Sequence, residues 1–187
     1  QGVQNDAPAA TEGYFIGADA VLLTRINMFR VTAPGATPVL SSLITITPPA
    51  ATQVPIVQDH NTGITPIERL DAIDERFYAA TVMKNKITGA NTLWTAHHFQ
   101  VNTAGVASST GGRNGSRWYE IGSLTTTPTI VQLGTVFDAT ATASNPRGYW
   151  FPSIVSSGQG HAVIGTSTAS AVNFVDAAVA GRYRTDA

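Results

Sequence analysis

Tyr149-Trp-Phe-Pro-Ser-Ile-Val-Ser-Ser157, Gly158-Gln-Gly160, His161-Ala-Val-Ile-Gly-Thr-Ser-Thr-Ala-Ser170 and Asn173-Phe-Val-Asp-Ala-Ala-Val-Ala-Gly-Arg-Tyr-Arg184 decide the fold class. Each piece is a short run of β-branched, aromatic and small residues. Glycine or Ser/Ala-rich breaks separate the pieces, as turns separate antiparallel strands. Gly158 and Gly160 offer the positive φ that a tight hairpin requires. The reading is therefore strand, turn, strand, turn, strand.

The same plan extends back to the N-terminus. Gly13–Leu23 reads as a strand, as does Arg25–Thr32, which alternates apolar with polar residues. Pro34-Gly35 is a turn, Val39–Thr47 a third strand, and Pro48-Pro49 stops it because proline lacks a ladder donor. Ala50–Pro66 has no periodicity and reads as a long connection. The charged cluster Glu68–Arg76 reads as a polar loop between closely flanking strands. Phe77–Met83 and Thr92–Val101 are strands around a Thr-Gly turn. Asn102–Gly115 is a Gly/Ser/Asn-rich surface loop that holds the sequon Asn114-Gly-Ser116. Arg117–Leu124 and Thr129–Phe137 are strands, with Gly134 marking a bulge, and Thr140–Gly148 is a loop. About ten strands and no helix give an all-β fold.

Composition agrees. Of the 187 residues only 12% are charged, so Thr and Ser must supply the polar surface, and Thr suits β-structure. A net charge of −1 carries no nucleic-acid footprint. No apolar run approaches the ~20 residues that span a bilayer, and Gln1–Ala10 is polar, unlike a signal peptide. The absence of cysteine excludes disulfides, cysteine–zinc sites and thiol nucleophiles. No cofactor or metal is expected.

An internal repeat groups the strands. Tyr14-Phe-Ile-Gly-Ala18 resembles Ala162-Val-Ile-Gly-Thr166, and Leu93-Trp-Thr-Ala-His97 holds the corresponding place between them. Aligned on these, residues 13–47 form a three-stranded group, 77–137 a four-stranded group and 149–187 another three-stranded group. Four-stranded antiparallel units in series are the blades of a β-propeller, so the chain reads as one partial propeller domain of about two and a half blades. A β-sandwich is the alternative.

Leu93-Trp-Thr-Ala-His97, Arg117-Trp-Tyr-Glu-Ile121, Trp150-Phe-Pro-Ser-Ile154, Gly158-Gln-Gly-His161 and Ala180-Gly-Arg182 followed by Asp186 resemble a set of motifs in large, mostly uncharacterised secreted bacterial proteins similar to sialidase-like β-propellers. The motifs run in that family's order over Tyr14–Ala187. The resemblance implies a propeller fold and an extracellular or cell-surface setting. It implies no activity. In the family the chain continues into a further Trp-containing strand, so the remainder of the same polypeptide or neighbouring subunits are the expected partners, with a glycan as a further candidate.

Residues able to carry chemistry are few. His97 and His98 are strand neighbours and point to opposite faces, so a shared metal is disfavoured; a His97–His161 pair would need adjoining blades. Ser153, His161 and Asp176 supply the residue types of a hydrolase triad, and Gly165-Thr-Ser167-Thr-Ala169 faintly resembles a nucleophile elbow, but no helical pattern follows Ser167. Arg117, Tyr119 and Glu120 suggest sialidase chemistry, yet Tyr119 and Glu120 face opposite sides of a strand, and the blade turns typical of sialidases are absent. Asp71, Asp74 and Glu75 are candidate calcium ligands, but Arg69 and Arg76 flank them and would compete, so the cluster reads as a solvated, salt-bridged loop. Trp94, Trp118, Tyr119, Tyr149 and Trp150 would serve either as sugar platforms or as packing between blades. No catalytic set converges. Trp94, His97, Arg117, Trp118 and Tyr119 are the ligand-binding candidates. The expected function is a non-catalytic extracellular propeller with a binding or structural role; the alternatives are a sialidase-like glycoside hydrolase and a structural polymer subunit.

Overall fold

The computed structural model describes residues 1–5, 7, 9–140 and 145–186. Among these the chain is all-β, with fourteen strands and no helix. Strand β1 is Gln4–Asn5. A first sheet holds β2 (Glu12–Ala18), β3 (Ile26–Thr32), β4 (Val39–Leu40) and β5 (Ile44–Ile46), with β2, β4 and β5 all pairing with β3. A short hairpin follows, β6 (Gln58–His60) with β7 (Glu68–Leu70). The central sheet is a meander of β8 (Ala79–Lys84), β9 (Asn91–Val101), β10 (Arg113–Gly122) and β11 (Thr129–Val136), with β1 added in parallel along β8. The third sheet is a meander of β12 (Gly148–Ser156), β13 (Ala162–Ser170) and β14 (Asn173–Arg182).

The three sheets stack in chain order, because the central one is apolar on both faces. Along β9 every residue after Asn91 is buried. Leu93 on β9 and Tyr119 and Ile121 on β10 point one way, onto Tyr14, Ile16, Ile26, Met28 and Ile46 of the first sheet. Trp94 and Ala96, with the half-buried Trp118 and Val136, point the other way onto Ile154, Ala162 and Ile164 of the third. Opposite pointing of successive side chains makes this possible: one strand feeds two cores. Burial of a large apolar side chain contributes about 1.5–3 kcal/mol, so the β9–β10 pair is where most of the packing energy concentrates.

The connections carry their own logic. Asn85 Oδ1 accepts from the amides of Ile87 and Thr88, and Gly89 at φ 76° closes the β8–β9 hairpin. Of the two glycines in the β12–β13 turn, Gly160 has positive φ, at 82°, whereas Gly158 packs closely on the Lys86 stem. The first residues lie along β2, with Val3 N donating to Tyr14 O at 3.0 Å, before β1 joins the central sheet.

Several expectations need correction. Gly13–Leu23 is strand only to Ala18, because Asp19 Oδ1 then accepts from the amides of Val21 and Leu22 and turns the chain. Val39–Thr47 is two strands, because Ser41 Oγ takes the Arg30 amide at 3.0 Å and displaces a backbone acceptor from the ladder. The stretch read as connection and polar loop contains the β6–β7 hairpin, clasped by an Arg69–Asp59 ion pair at 2.8 Å. The loop after β9 ends at Gly112, not Gly115. Asn114 is a buried strand residue, with its side chain bonded to both backbone groups of Ile56, so the sequon is not on an exposed loop. The irregularity in β11 falls opposite Glu120/Ile121, where Val131 is the extra residue. Gly134 is instead the seat of the Trp118 ring, which a Cβ there would meet at 2.7 Å. The loop Thr140–Gly148 lies partly outside the described residues.

Gly134→Val forces the Trp118 ring to move and is expected to lower unfolding free energy by about 1–3 kcal/mol. Gly165→Ala, where an added Cβ meets nothing within 4 Å, is expected to stay within ~0.5 kcal/mol of the parent. Urea denaturation of the two variants checks the pair.

Candidate functional site

The expected ligand-binding residues do not share a face. On one side of the β9–β10 pair lie His97, Arg117 and Tyr119; on the other lie Trp94 and Trp118. His97 and Arg117 are direct cross-strand partners, so their side chains share a face by register.

The first group is internal. His97 Nδ1 donates to Glu75 O at 2.6 Å and its Nε2 accepts from the Tyr119 hydroxyl at 3.0 Å. Phe77 and Phe99 close the ring in. Burial pushes the imidazole down to about 3, against the pull of the Glu75 bond. Burial likewise pushes the Tyr119 phenol up to about 12. Both are therefore neutral at ordinary pH. Arg117 is 3% exposed and sits over the Phe99 ring at 4.5 Å. Its guanidinium donates to Ala51 O at 2.8 Å, Thr135 Oγ1 at 3.1 Å and Gly105 O at 3.5 Å. Among the described residues it pairs with no carboxylate. Carbonyl oxygens and an aromatic face hold this cation, and it ties two loops to the sheet.

His98 points to the opposite face and does similar work. Its Nε2 donates to Ala72 O at 2.7 Å, and its Nδ1 accepts from the Phe151 amide at 3.3 Å. Tyr78 stacks on the ring. Burial pushes it down to about 4. His97 and His98 thus reach around both sides of β9 to hold carbonyls of one segment, the run Ala72–Glu75.

The second group leads outward. Trp94 stacks on Trp118 at 5.8 Å, and the Arg182 guanidinium lies 5.1 Å from the Trp118 ring centre. Trp94 Nε1 donates to Thr92 Oγ1 at 3.0 Å, and that hydroxyl donates to Glu120 Oε1 at 2.8 Å. Gln132 Nε2 donates to the other oxygen, Glu120 Oε2, while Arg182 donates to Gln132 Oε1. An amide therefore relays between a guanidinium and a buried carboxylate. The sequence reading missed Gln132 and Arg182 here. Strand alternation puts Glu120 on the Trp118 face, and that was the available signal.

The remaining candidates are dispersed. Ser153 is on the outward face of the third sheet, and Asp176 lies opposite Thr168. His161 precedes β13 and so lies roughly 23 Å along the strand from Thr168, which forms no triad. Ser167 stays in a strand with no helix after it. His161 accepts from the Arg184 amide at 3.0 Å and packs on Tyr183, apart from the interior contacts of His97. Asp71 caps the Ile73 amide and Asp74 pairs with Arg76 at 2.6 Å. No group of three metal-binding side chains occurs among the described residues.

The depressed imidazoles set an acid limb of stability. Unfolding returns each histidine to its ordinary value near 6.5, so the unfolded chain binds more protons below that pH. Stability is complete above about pH 6.5 and falls as pH drops toward the folded values of about 4 and 3. Unfolding free energy at pH 5 is expected to be roughly 4 kcal/mol below that at pH 7, and His98→Gln should halve the difference. Arg117→Met leaves carbonyls of Ala51 and Gly105 without donors and is expected to cost about 3 kcal/mol at pH 7, read by chemical denaturation. No family model, curated protein or solved structure matched the chain.

Proposed function

We propose that the chain is a non-catalytic extracellular or cell-surface module of propeller-type blades, with a binding or structural role beside further sheets of its own polypeptide or of neighbouring subunits. The observation that carries this reading is the two-sided burial of the central antiparallel sheet by sheets that precede and follow it in the chain. Meanders packed face to face in sequence order are what successive blades require. The resemblance to sialidase-like propellers points the same way and supplies the extracellular setting.

The chemistry-bearing side chains support a non-catalytic role. A glycoside hydrolase of the sialidase kind needs arginines free to clamp a carboxylate. Arg117 gives its donors to Ala51, Thr135 and Gly105, and Arg113 gives its own to Asp138 O and Thr140 O. These groups have been drawn into the scaffold.

The outward face of the third sheet supports a neighbour. Val155, Val163 and Val179 lie there, 60%, 46% and 75% exposed, and register places Ser153, Gly165 and Gly181 among them without a charge. The inward face of the same sheet is the one that packs on Trp94. Velocity sedimentation over a hundredfold concentration range is expected to show reversible association, abolished by the pair Val155→Lys and Val179→Lys. A single sedimenting species throughout would remove the neighbouring-subunit version. Turnover of fluorogenic sialosides or hexosides that survives re-purification would overturn the non-catalytic reading itself.

A further inference from the structure

A cleft of about 430 Å³ opens at the end of the central sheet, where Glu120 ends the relay from Trp94 and Arg182. Its polar lining includes Asn85, Asn91, Thr92, Glu120, Gln132 and Arg184, with the hydroxyl residues Thr88 and Ser123 beside them. The volume lies in the range of small-molecule sites. The irregularity between β10 and β11 falls at this point: Glu120 pairs with Gln132, Ile121 with Ile130, and Val131 is looped out on the cleft wall. Bulges re-aim side chains at the edges of sheets, and this one sets a carboxylate and an amide side by side.

Glu120 is 7% exposed, yet no lysine, arginine or histidine of the described residues pairs with it directly. Each of its oxygens receives one hydrogen bond, from Thr92 and from Gln132. An ionised carboxylate has about four acceptor sites, so two remain. The Thr92 hydroxyl is fixed in the donor role by the Trp94 indole, which already occupies it as acceptor. The carboxylate is therefore held rigidly with unused acceptors in a polar cleft, and Arg184, which also lines the cleft, forms no ion pair among the described residues.

We infer that this cleft binds a polyhydroxylated ligand, a neutral sugar, with adjacent hydroxyl groups donating to the two oxygens of Glu120. Asn91 offers both donors and acceptors to hydroxyl groups, and Asn85 Nδ2 and Arg184 offer donors to hydroxyl and ring oxygens. A metal cation fits poorly, because one carboxylate stands alone and a guanidinium shares the site. An anion would meet Glu120. An apolar ligand would leave the carboxylate desolvated and unpaired. The apolar gap of about 120 Å³ beside Trp118, Ile154 and Ile164 is a poorer candidate, since Arg182 alone brings polarity to it.

The inference rests on the non-catalytic reading but can fail separately from it. Methyl α-glucoside, methyl α-mannoside and methyl β-galactoside are titrated into the isotopically labelled full chain, followed by amide and side-chain NMR shifts. A set of oligosaccharides of the same sugars is run in parallel. Expected are saturable shifts of Asn91, Thr92, Glu120 and Gln132 with at least one sugar. Glu120→Gln removes the charge from the acceptor and is expected to weaken binding about tenfold or more. Arg184→Ala, an exposed change that leaves the core intact, is expected to weaken it severalfold. If Glu120→Gln fails to fold, Arg184→Ala and Asn91→Ala carry the test. Shifts with oligosaccharides alone keep the site and identify a polymer as its ligand. No shifts with any sugar, shifts that persist unchanged in the variants, or shifts with calcium alone overturn the inference. Sugar binding accompanied by cleavage leaves the site standing and overturns the non-catalytic reading instead.

Discussion

Everything in this molecule depends on one strand pair, β9–β10, having almost no solvent face. An antiparallel sheet usually packs one side and wets the other. Here β9 and β10 send side chains of both parities into packed interiors, Leu93 and Tyr119 toward the first sheet and Trp94 and Ala96 toward the third. Removing either neighbour would expose a core. The order of the sheets in space therefore follows their order in the chain.

That constraint explains the unusual traffic of polar groups. A sheet buried on both sides leaves its approaching loops partly buried too, and their carbonyls need donors. His97 and His98 reach from opposite faces to Glu75 and Ala72; Arg117 reaches to Ala51 and Gly105; Asn114 satisfies both backbone groups of Ile56. Gln58 extends the pattern, donating to Ala169 O at 3.2 Å and so joining β6 to the third sheet. These side chains look chemical in the sequence because histidine and arginine usually do chemistry. In this fold they replace the ladder bonds that loops lack.

The candidate site emerges at the point where the two-sided coverage ends. Beyond Trp118 the third sheet no longer covers β10, and the next residue on that face, Glu120, meets a cleft rather than a core. The relay from Arg182 through Gln132 supplies positive potential to that carboxylate without a direct ion pair, which leaves its remaining acceptors directed at the cleft. A rigid aromatic pair, Trp94 on Trp118, backs the arrangement.

Period-two patterning, glycine turns and the Thr-rich, low-charge composition were enough to read the all-β class, most of the longer strands and the opposed facing of Tyr119 and Glu120. Those are local properties: alternation and turn geometry are written in neighbouring residues. The three-residue strands β6 and β7 were not legible, because their pairing gains little from local propensity and depends on Gln58 and Asp59 finding partners elsewhere. Gly134 read as a bulge because a sequence shows a missing side chain but not the Trp118 ring that fills its place. Nor could residue type alone separate structural His97 and Arg117 from ligand-binding ones. That distinction turns on desolvation and on which distant carbonyls lie within hydrogen-bond reach, and only the stacking of three sheets brings Glu75, Ala51 and Gly105 to those side chains while leaving Glu120 at an open edge.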